Sequence, residues 1–167
     1  MYGDPESFGS VAELHLDDVY AYLSYLTGDR TLAEELTGET FERALRRWKR
    51  YDPRRASART WLCQLARSVA LDHFRTEARR RRREDVYASR ERELEEAPFG
   101  EGLSPALEQA LASLSAAERE VVALRIVLEL DGEATARLLG ISASACSTRL
   151  SRALQKLEAR VSSDVVG

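Results

Sequence analysis

The sequence is poor in the residues that build cross-linked or metal-held scaffolds. Only two of its 167 residues are cysteine, Cys63 and Cys146, and there is no CxxC pair and no Cys/His cluster. Neither a disulfide framework nor a zinc site is therefore supported, and both thiols are expected to pack as small apolar groups. Histidine is as scarce, with only His15 and His73. Asp72 precedes His73 directly, but successive helical residues do not face each other, so the two make no dyad. No GxSxG, GxGxxG or P-loop is present, and no active-site constellation can be assembled. The expectation is a non-enzyme with no cofactor, no metal and no small-molecule substrate. No stretch approaches the roughly 20 apolar residues of a membrane span, and the N-terminus lacks a signal peptide's apolar core, which points to a cytoplasmic protein. Strand-like alternation and internal repeats are missing as well.

What the chain does have is charge, and it is segregated. The net charge is −3, with 32% of residues charged and 44% hydrophobic. Residues 1–41 carry net −8, residues 42–83 net +11, residues 84–104 net −5 and residues 105–167 net −1. A strongly basic block inside an acidic chain suggests a polyanion site flanked by surfaces for another partner.

The basic block centres on SARTWLCQLARSVALDHFRTEARRRRR, residues 57–83. Leu62, Leu65, Ala66, Val69 and His73 recur at helical spacing and predict one long helix with an apolar stripe. Arg59, Arg67, Ser68, Asp72 and Arg75 fall off that stripe and are expected in solvent. The five consecutive arginines Arg79 to Arg83 cannot be buried, so they belong to a solvated helix end or a polyanion contact.

Around this helix the chain reads as helical throughout. Residues 1–9 look frayed. A first helix from about Ser10 to Thr27 is marked by Leu16, Tyr20, Leu23 and Leu26, with Gly28 as its stop. Thr31 and Glu34 form a capping-box pattern for a second helix, with Leu36, Thr40, Ala44 and Trp48 on one face. Gly38 within it costs about 1 kcal/mol relative to alanine. Pro53 breaks the pattern into a loop. Most aromatics near the basic block, Phe41 and Trp48 foremost, are expected in the core, although aromatics among arginines can also stack unpaired bases.

Residues 84–104 are acidic, contain Pro98, Gly100 and Gly102, and read as a flexible linker with at most a short helix near residues 90–96. Leu107, Leu111 and Leu114 open a second helical unit. Ser115 and Glu118 make a capping box for a helix containing Val121 to Leu128. The segment DGEATARLL, residues 131–139, is followed by Gly140-Ile141-Ser142, with Ser142 as an N-cap. The last helix carries Cys146, Leu150, Ala153, Leu157 and Val161 on one face. Helix, short turn with glycine, then helix is helix-turn-helix grammar. Its exposed Ser142, Ala143, Ser144, Ser147, Thr148 and Ser151, with Arg149 and Arg152, suit close approach to phosphates and base edges.

Read together, AEELTGETFERALRRW, ARTWLCQLARSVALDHFR and LGISASACSTRLSRALQKLE occur in the order and spacing of a known family. The chain resembles an extracytoplasmic-function (ECF) sigma factor of the sigma-70 family, over roughly residues 10–83 and 105–160. That resemblance implies an all-α protein of two small helical domains joined by a flexible linker. Residues 10–83 are then a region-2-like domain, 84–104 the linker and 105–161 a region-4-like helix-turn-helix domain. It implies that Glu35, Glu39, Thr40 and Phe41 dock on the clamp helices of the RNA polymerase β′ subunit. It assigns minus-ten DNA contacts to Arg50, Arg54, Arg55, Trp61, Ser68, Asp72 and Arg75. It assigns minus-thirty-five contacts to Ser142, Ser144, Ser147, Thr148, Arg149 and Arg152, with the β flap as a further contact of that domain. Partners are core polymerase, promoter DNA and an anti-sigma factor. The chain departs from the family at Thr37-Gly38, where Val-Gln is usual, at Ser68, where Asn is usual, and at Ala145-Cys146-Ser147, where Thr-Val-Lys is frequent. Two other readings stay open: a stand-alone helix-turn-helix regulator, and an RNA-binding adaptor that uses the arginine run.

Overall fold

The computed structural model describes residues 5–85 and 105–165, and every regular element among them is helical. The expected linker and the short helix near residues 90–96 lie outside the described residues, except that residues 84 and 85 end the long helix.

Helix α1, Pro5–Thr27, starts earlier than its periodicity suggests. Phe8 is buried and meets the Trp48 ring edge-on at 5.5 Å. That aromatic contact draws into the helix a stretch that composition alone marks as frayed. The inward stripe of α1 is Val19, Tyr22, Leu23 and Leu26, whereas Leu16, expected on it, is 49% exposed. Gly28 ends α1 at φ 65°, a left-handed conformation that glycine adopts without steric cost.

Helix α2, Arg30–Arg47, is capped by Asp29, whose side chain accepts from the Leu32 amide at 3.0 Å. The Thr31/Glu34 pattern is not the cap: Thr31 already lies inside the first turn, two residues past Asp29. The expected core face is present, with Leu36, Thr40, Ala44 and Trp48 all buried. Thr37 and Thr40 satisfy their hydroxyls by donating to the carbonyls of Ala33 and Leu36. A tight turn, Trp48–Arg50, then drives the indole inward. Tyr51 stacks on Trp48 at 5.0 Å, Trp61 closes the group at 5.1 Å from Tyr51, and the Tyr51 hydroxyl donates to the Ala56 carbonyl.

Helix α3, Ala58–Asp85, follows, its first turn capped by Ser57 Oγ, which accepts from the Thr60 amide. Leu62, Leu65, Ala66 and Val69 are buried as their spacing predicts. His73 is only half-buried, with its ring against Phe74, because the helix has by then run past the core.

The second unit begins with α4, Pro105–Ala112, and α5, Ala116–Val122, the latter with both bonds of the Ser115/Glu118 capping box in place. The helix does not continue regularly to Leu128. Residues Ala123–Val127 form a π turn, in which the Leu128 amide reaches the Ala123 carbonyl at 2.9 Å. Glu129 follows at φ 52°. The widened turn lets Leu128 and Leu130 both point into the core, and Arg125 covers the turn by donating to the Leu130 carbonyl. Helix α6, Gly132–Leu139, is capped by Asp131 and stopped by left-handed Gly140. Helix α7, Ala143–Val165, is started by Ser142 Oγ, which accepts from the Ala145 amide at 3.1 Å. Cys146 and Ala153 are buried, Leu150 and Leu157 half-buried and Val161 exposed, so the expected stripe fades before the helix ends.

Two predictions follow from the packing and the caps. Trp48→Ala, which empties the centre of the aromatic group, should cost about 3–5 kcal/mol; denaturant titration measures it. Glu118 is held below the ordinary carboxylate range, chiefly by the Lys156 ammonium at 2.8 Å and then by the Ser115 amide. A depressed carboxylate stabilises the fold above its unfolded pKa and loses that contribution as pH falls through the lower folded value. The stability gap between wild type and Lys156→Ala should therefore be full above about pH 4.3 and close below it; thermal melts across that range test the sign.

Candidate nucleic-acid interface

The basic surface is built on α3 and the loop before it. Arg50, Arg54 and Arg55 are exposed, and the stacked Trp48, Tyr51 and Trp61 hold the loop that carries them against α3. Asp52 gathers the loop inward: its carboxylate accepts from the Arg54 amide and guanidinium at 3.0 Å and lies 4.0 Å from Arg55. These bonds, the Arg54 side chain first, hold Asp52 below the usual carboxylate range. Trp61 is half-buried, with part of its ring against Tyr51 and Trp48.

Ser68, Asp72 and Arg75 are exposed at spacings of four and three on α3, one continuous stripe. Asp72 accepts from Arg43 of α2 at 3.0 Å and lies 3.7 Å from Arg75. Arg43 also donates to Glu39 at 2.8 Å, and these partners, Asp72 first, push its pKa up. A single guanidinium thus ties together a carboxylate on α2 and one on α3. Beyond Arg75 the stripe runs into the arginine block, where Arg80 pairs with Glu77 at 2.8 Å and Arg79, Arg81, Arg82 and Arg83 are exposed.

Of the four residues expected to meet a protein partner, Glu35 and Glu39 are exposed and Phe41 is half-buried. Thr40 must be corrected. It is 0% exposed, its hydroxyl is used within α2, and it shares the core face with Leu36 and Ala44. Nothing outside the fold can touch it. The period of the helix already assigned it to the core, and that assignment outweighs the family position.

In the second unit, Ser142, Ser144, Ser147, Thr148 and Arg152 are exposed at the start of α7, and Arg149 is half-buried. Ser142 spends its hydroxyl as the cap. The other five form no ion pair among the described residues, so this face is open.

Residue periodicity missed one group altogether. Arg67, expected in solvent, is half-buried and donates from Nε to Glu120 Oε1 at 2.8 Å. The same oxygen accepts the Tyr22 hydroxyl at 2.6 Å. Tyr22 and Arg67 belong to the first helical unit and Glu120 to the second. Burial and the neighbouring carboxylate push the Tyr22 phenol well above its ordinary pKa, so it remains a donor. The available signal was Glu120 itself, an acid followed directly by Val121 and Val122 in an apolar helix.

With the geometry established, comparison with known proteins identifies the chain. Residues 11–80 match sigma-70 region 2, and residues 104–157 match sigma-70 region 4. The ECF RNA polymerase sigma factor SigC of Mycobacterium tuberculosis is 33% identical over 149 residues, 88% of this chain and 79% of that protein. The ECF sigma factor BldN of Streptomyces coelicolor is 33% identical over 159 residues, 93% of this chain but only 60% of BldN. The fold is shared with the sigma factor RpoE solved with the anti-sigma factor NepR from Bartonella quintana. That match has a TM-score of 0.79 at 22% identity and covers 94% of this chain and 98% of that one. The chain belongs to the sigma-70 family as an ECF-type RNA polymerase sigma factor, a protein of transcription initiation. No helix among the described residues is long and apolar enough to cross a membrane.

Removing the shared guanidinium gives a test of this site. Arg43→Ala should leave Glu39 without its guanidinium partner and Asp72 with Arg75 alone, and cost under about 1 kcal/mol in stability, as exposed ion pairs do; a loss beyond about 2 kcal/mol in a thermal melt would contradict a purely superficial bridge.

Proposed function

We propose that this chain directs core polymerase to promoters through two separate DNA contacts. Residues 10–83 dock on the β′ clamp helices through Glu35, Glu39 and the exposed part of Phe41, without Thr40. The same unit takes the minus-ten element with Arg50, Arg54, Arg55, Trp61, Ser68, Asp72 and Arg75. Residues 105–161 take the minus-thirty-five element with Ser144, Ser147, Thr148, Arg149 and Arg152, Ser142 setting the start of the helix, and touch the β flap. Residues 84–104 link the two, and the protein acts in the cytoplasm beside its polymerase. The observation that carries this reading is the first unit's division of charge, with exposed Glu34, Glu35 and Glu39 in the first half of α2 and an exposed arginine surface on α3 and its leading loop. One surface suits a protein and the other a polyanion. Melting requires unstacking at about 1.4 kcal/mol per base-pair step, and freed bases need aromatic and cationic surfaces to hold them. The sigma factors CnrH and RpoE were solved with the anti-sigma partners CnrY and NepR, and we expect a partner of that kind here. A stand-alone regulator is not favoured, because the family match covers both units.

Charge reversal at both Glu35 and Glu39 to lysine should weaken binding to purified core polymerase at least tenfold with the melting temperature little changed. Equal affinity in a core titration would remove these residues from the docking face.

The start of α7 offers no Asn or Gln for bidentate adenine reading, and only Arg149 and Arg152 could grip guanine. Specificity at the minus-thirty-five element should then come mostly from groove shape. Arg149→Ala should lower transcription about equally on a panel of single-base variants; a loss of about 1–3 kcal/mol confined to one base pair would mean direct reading instead.

A further inference from the structure

Gly38 has no use within the fold that carries it. It stands in the middle of α2, and its backbone is ordinary helix: the left-handed glycines among the described residues are Gly28 and Gly140. A methyl group added at its Cα would meet nothing within 4 Å. No turn, close packing or strain in the free chain therefore calls for glycine here. Alanine would make the better helix, because it loses less backbone freedom on folding. The position is also one at which this chain departs from the usual family pattern, so it is a feature of this chain rather than of the fold.

The residues around it point outward. With about 3.6 residues per turn, Thr31, Glu34, Glu42 and Leu45 lie one or two turns from Gly38 on the same face, away from the buried Leu36, Thr40 and Ala44. All four are exposed, and Leu45 is 52% exposed. Phe41, at the edge of that face, is half-buried. Gly38, Phe41 and Leu45 thus follow i, i+3, i+7 spacing, the apolar seam by which one helix receives another. Carboxylates border the seam: Glu34 lies 3.9 Å from Arg30, Glu42 accepts from Arg46, and Glu35 forms no ion pair among the described residues. Two helices pack with their axes about 8–10 Å apart, a distance set by the side chains at the crossing. A glycine at the crossing permits the near end of that range.

We infer that Gly38 is a close-approach point: a helix of core polymerase, basic along its flanks, crosses α2 with its backbone nearly against the glycine Cα, while Phe41 and Leu45 pack beside it. This rests on the polymerase docking proposed above and names the residue that sets its distance. The occupant is a helix because the seam has helical spacing, and its flanks are basic because the border of the seam is acidic. A side chain at position 38 then acts in opposite directions on the two states. It stabilises the helix of the free chain and holds the partner helix away in the complex.

The test is a titration of purified core polymerase with the full-length chain, read beside a thermal melt. Gly38→Ala should raise the melting temperature by about 2–4 °C and yet weaken core binding about tenfold or more. Gly38→Leu keeps a good helix former and adds volume, and should weaken binding further. Leu45→Ala should weaken binding by roughly three- to tenfold, through lost apolar contact, with the melt little changed. Gly9→Ala is the control: Gly9 lies in α1, is exposed and has the same room for a methyl group, so core binding should stay as in wild type. Wild-type affinity in Gly38→Ala or in Leu45→Ala would overturn the inference. So would a loss in Gly9→Ala equal to that in Gly38→Ala, which would trace the effect to a stiffer chain rather than to position 38. If the Glu35 and Glu39 reversal weakens core binding while both Gly38 variants bind as wild type, the close approach falls and the docking face stands. If the reversal and the Gly38 variants all bind as wild type, both fall.

Discussion

The two halves of this molecule meet at one carboxylate oxygen, set within the apolar cluster they share. Glu120 Oε1 takes a hydrogen bond from the Tyr22 hydroxyl and another from the Arg67 guanidinium, with Tyr22 and Glu120 buried and Arg67 half-buried. Charge-assisted bonds of this kind are short and strong, but much of their strength only offsets the cost of burying the charges. What they supply is direction. Apolar surfaces on α1, α3, α5 and α6 could pack in several orientations, and the shared oxygen selects one.

A second constraint organises the basic surface. An arginine-rich loop with no regular structure would ordinarily be mobile, yet this one is fastened at both ends. Trp48, Tyr51 and Trp61 stack behind it, and Asp52 binds Arg54 within it. The aromatic group is also where Phe8 brings the start of α1 into the core. The residues that hold the loop are thus the ones that close the first unit, and the exposed arginines stand on a firm base. Arg43 extends the same logic to the surface by linking α2 to α3 through Glu39 and Asp72.

Much of this was legible beforehand, for definite reasons. Helical period placed Leu62, Leu65, Ala66 and Val69 inside, and Leu36, Ala44 and Trp48 with them. Local chemistry marked the Ser115/Glu118 box, the Ser142 cap and the stops at Gly28 and Gly140. What escaped depended on distant parts of the chain. Arg67 falls off the apolar stripe of its own helix, and only the arrival of Glu120 from the second unit buries it. The early start of α1 depends in the same way on Trp48, which Phe8 meets. The π turn after Val122 left no local mark, because its residues are ordinary helix formers whose register is set by where Leu128 and Leu130 must point. Thr40 failed for another cause: a position taken from family likeness was set above the helical period that had already placed it inside. For the cap of α2, two plausible patterns overlapped, and Asp29 rather than Thr31 has the extended backbone that a cap requires.

A sigma factor gives polymerase its promoters rather than binding DNA on its own behalf. Run-off transcription on genomic fragments with purified core polymerase, with and without the chain, tests it most directly, together with a footprint of the chain alone on the same fragments. Discrete transcripts should form only when the chain is present, and no footprint should appear without polymerase. A clear footprint by the chain alone, with no transcript when core is added, would contradict it.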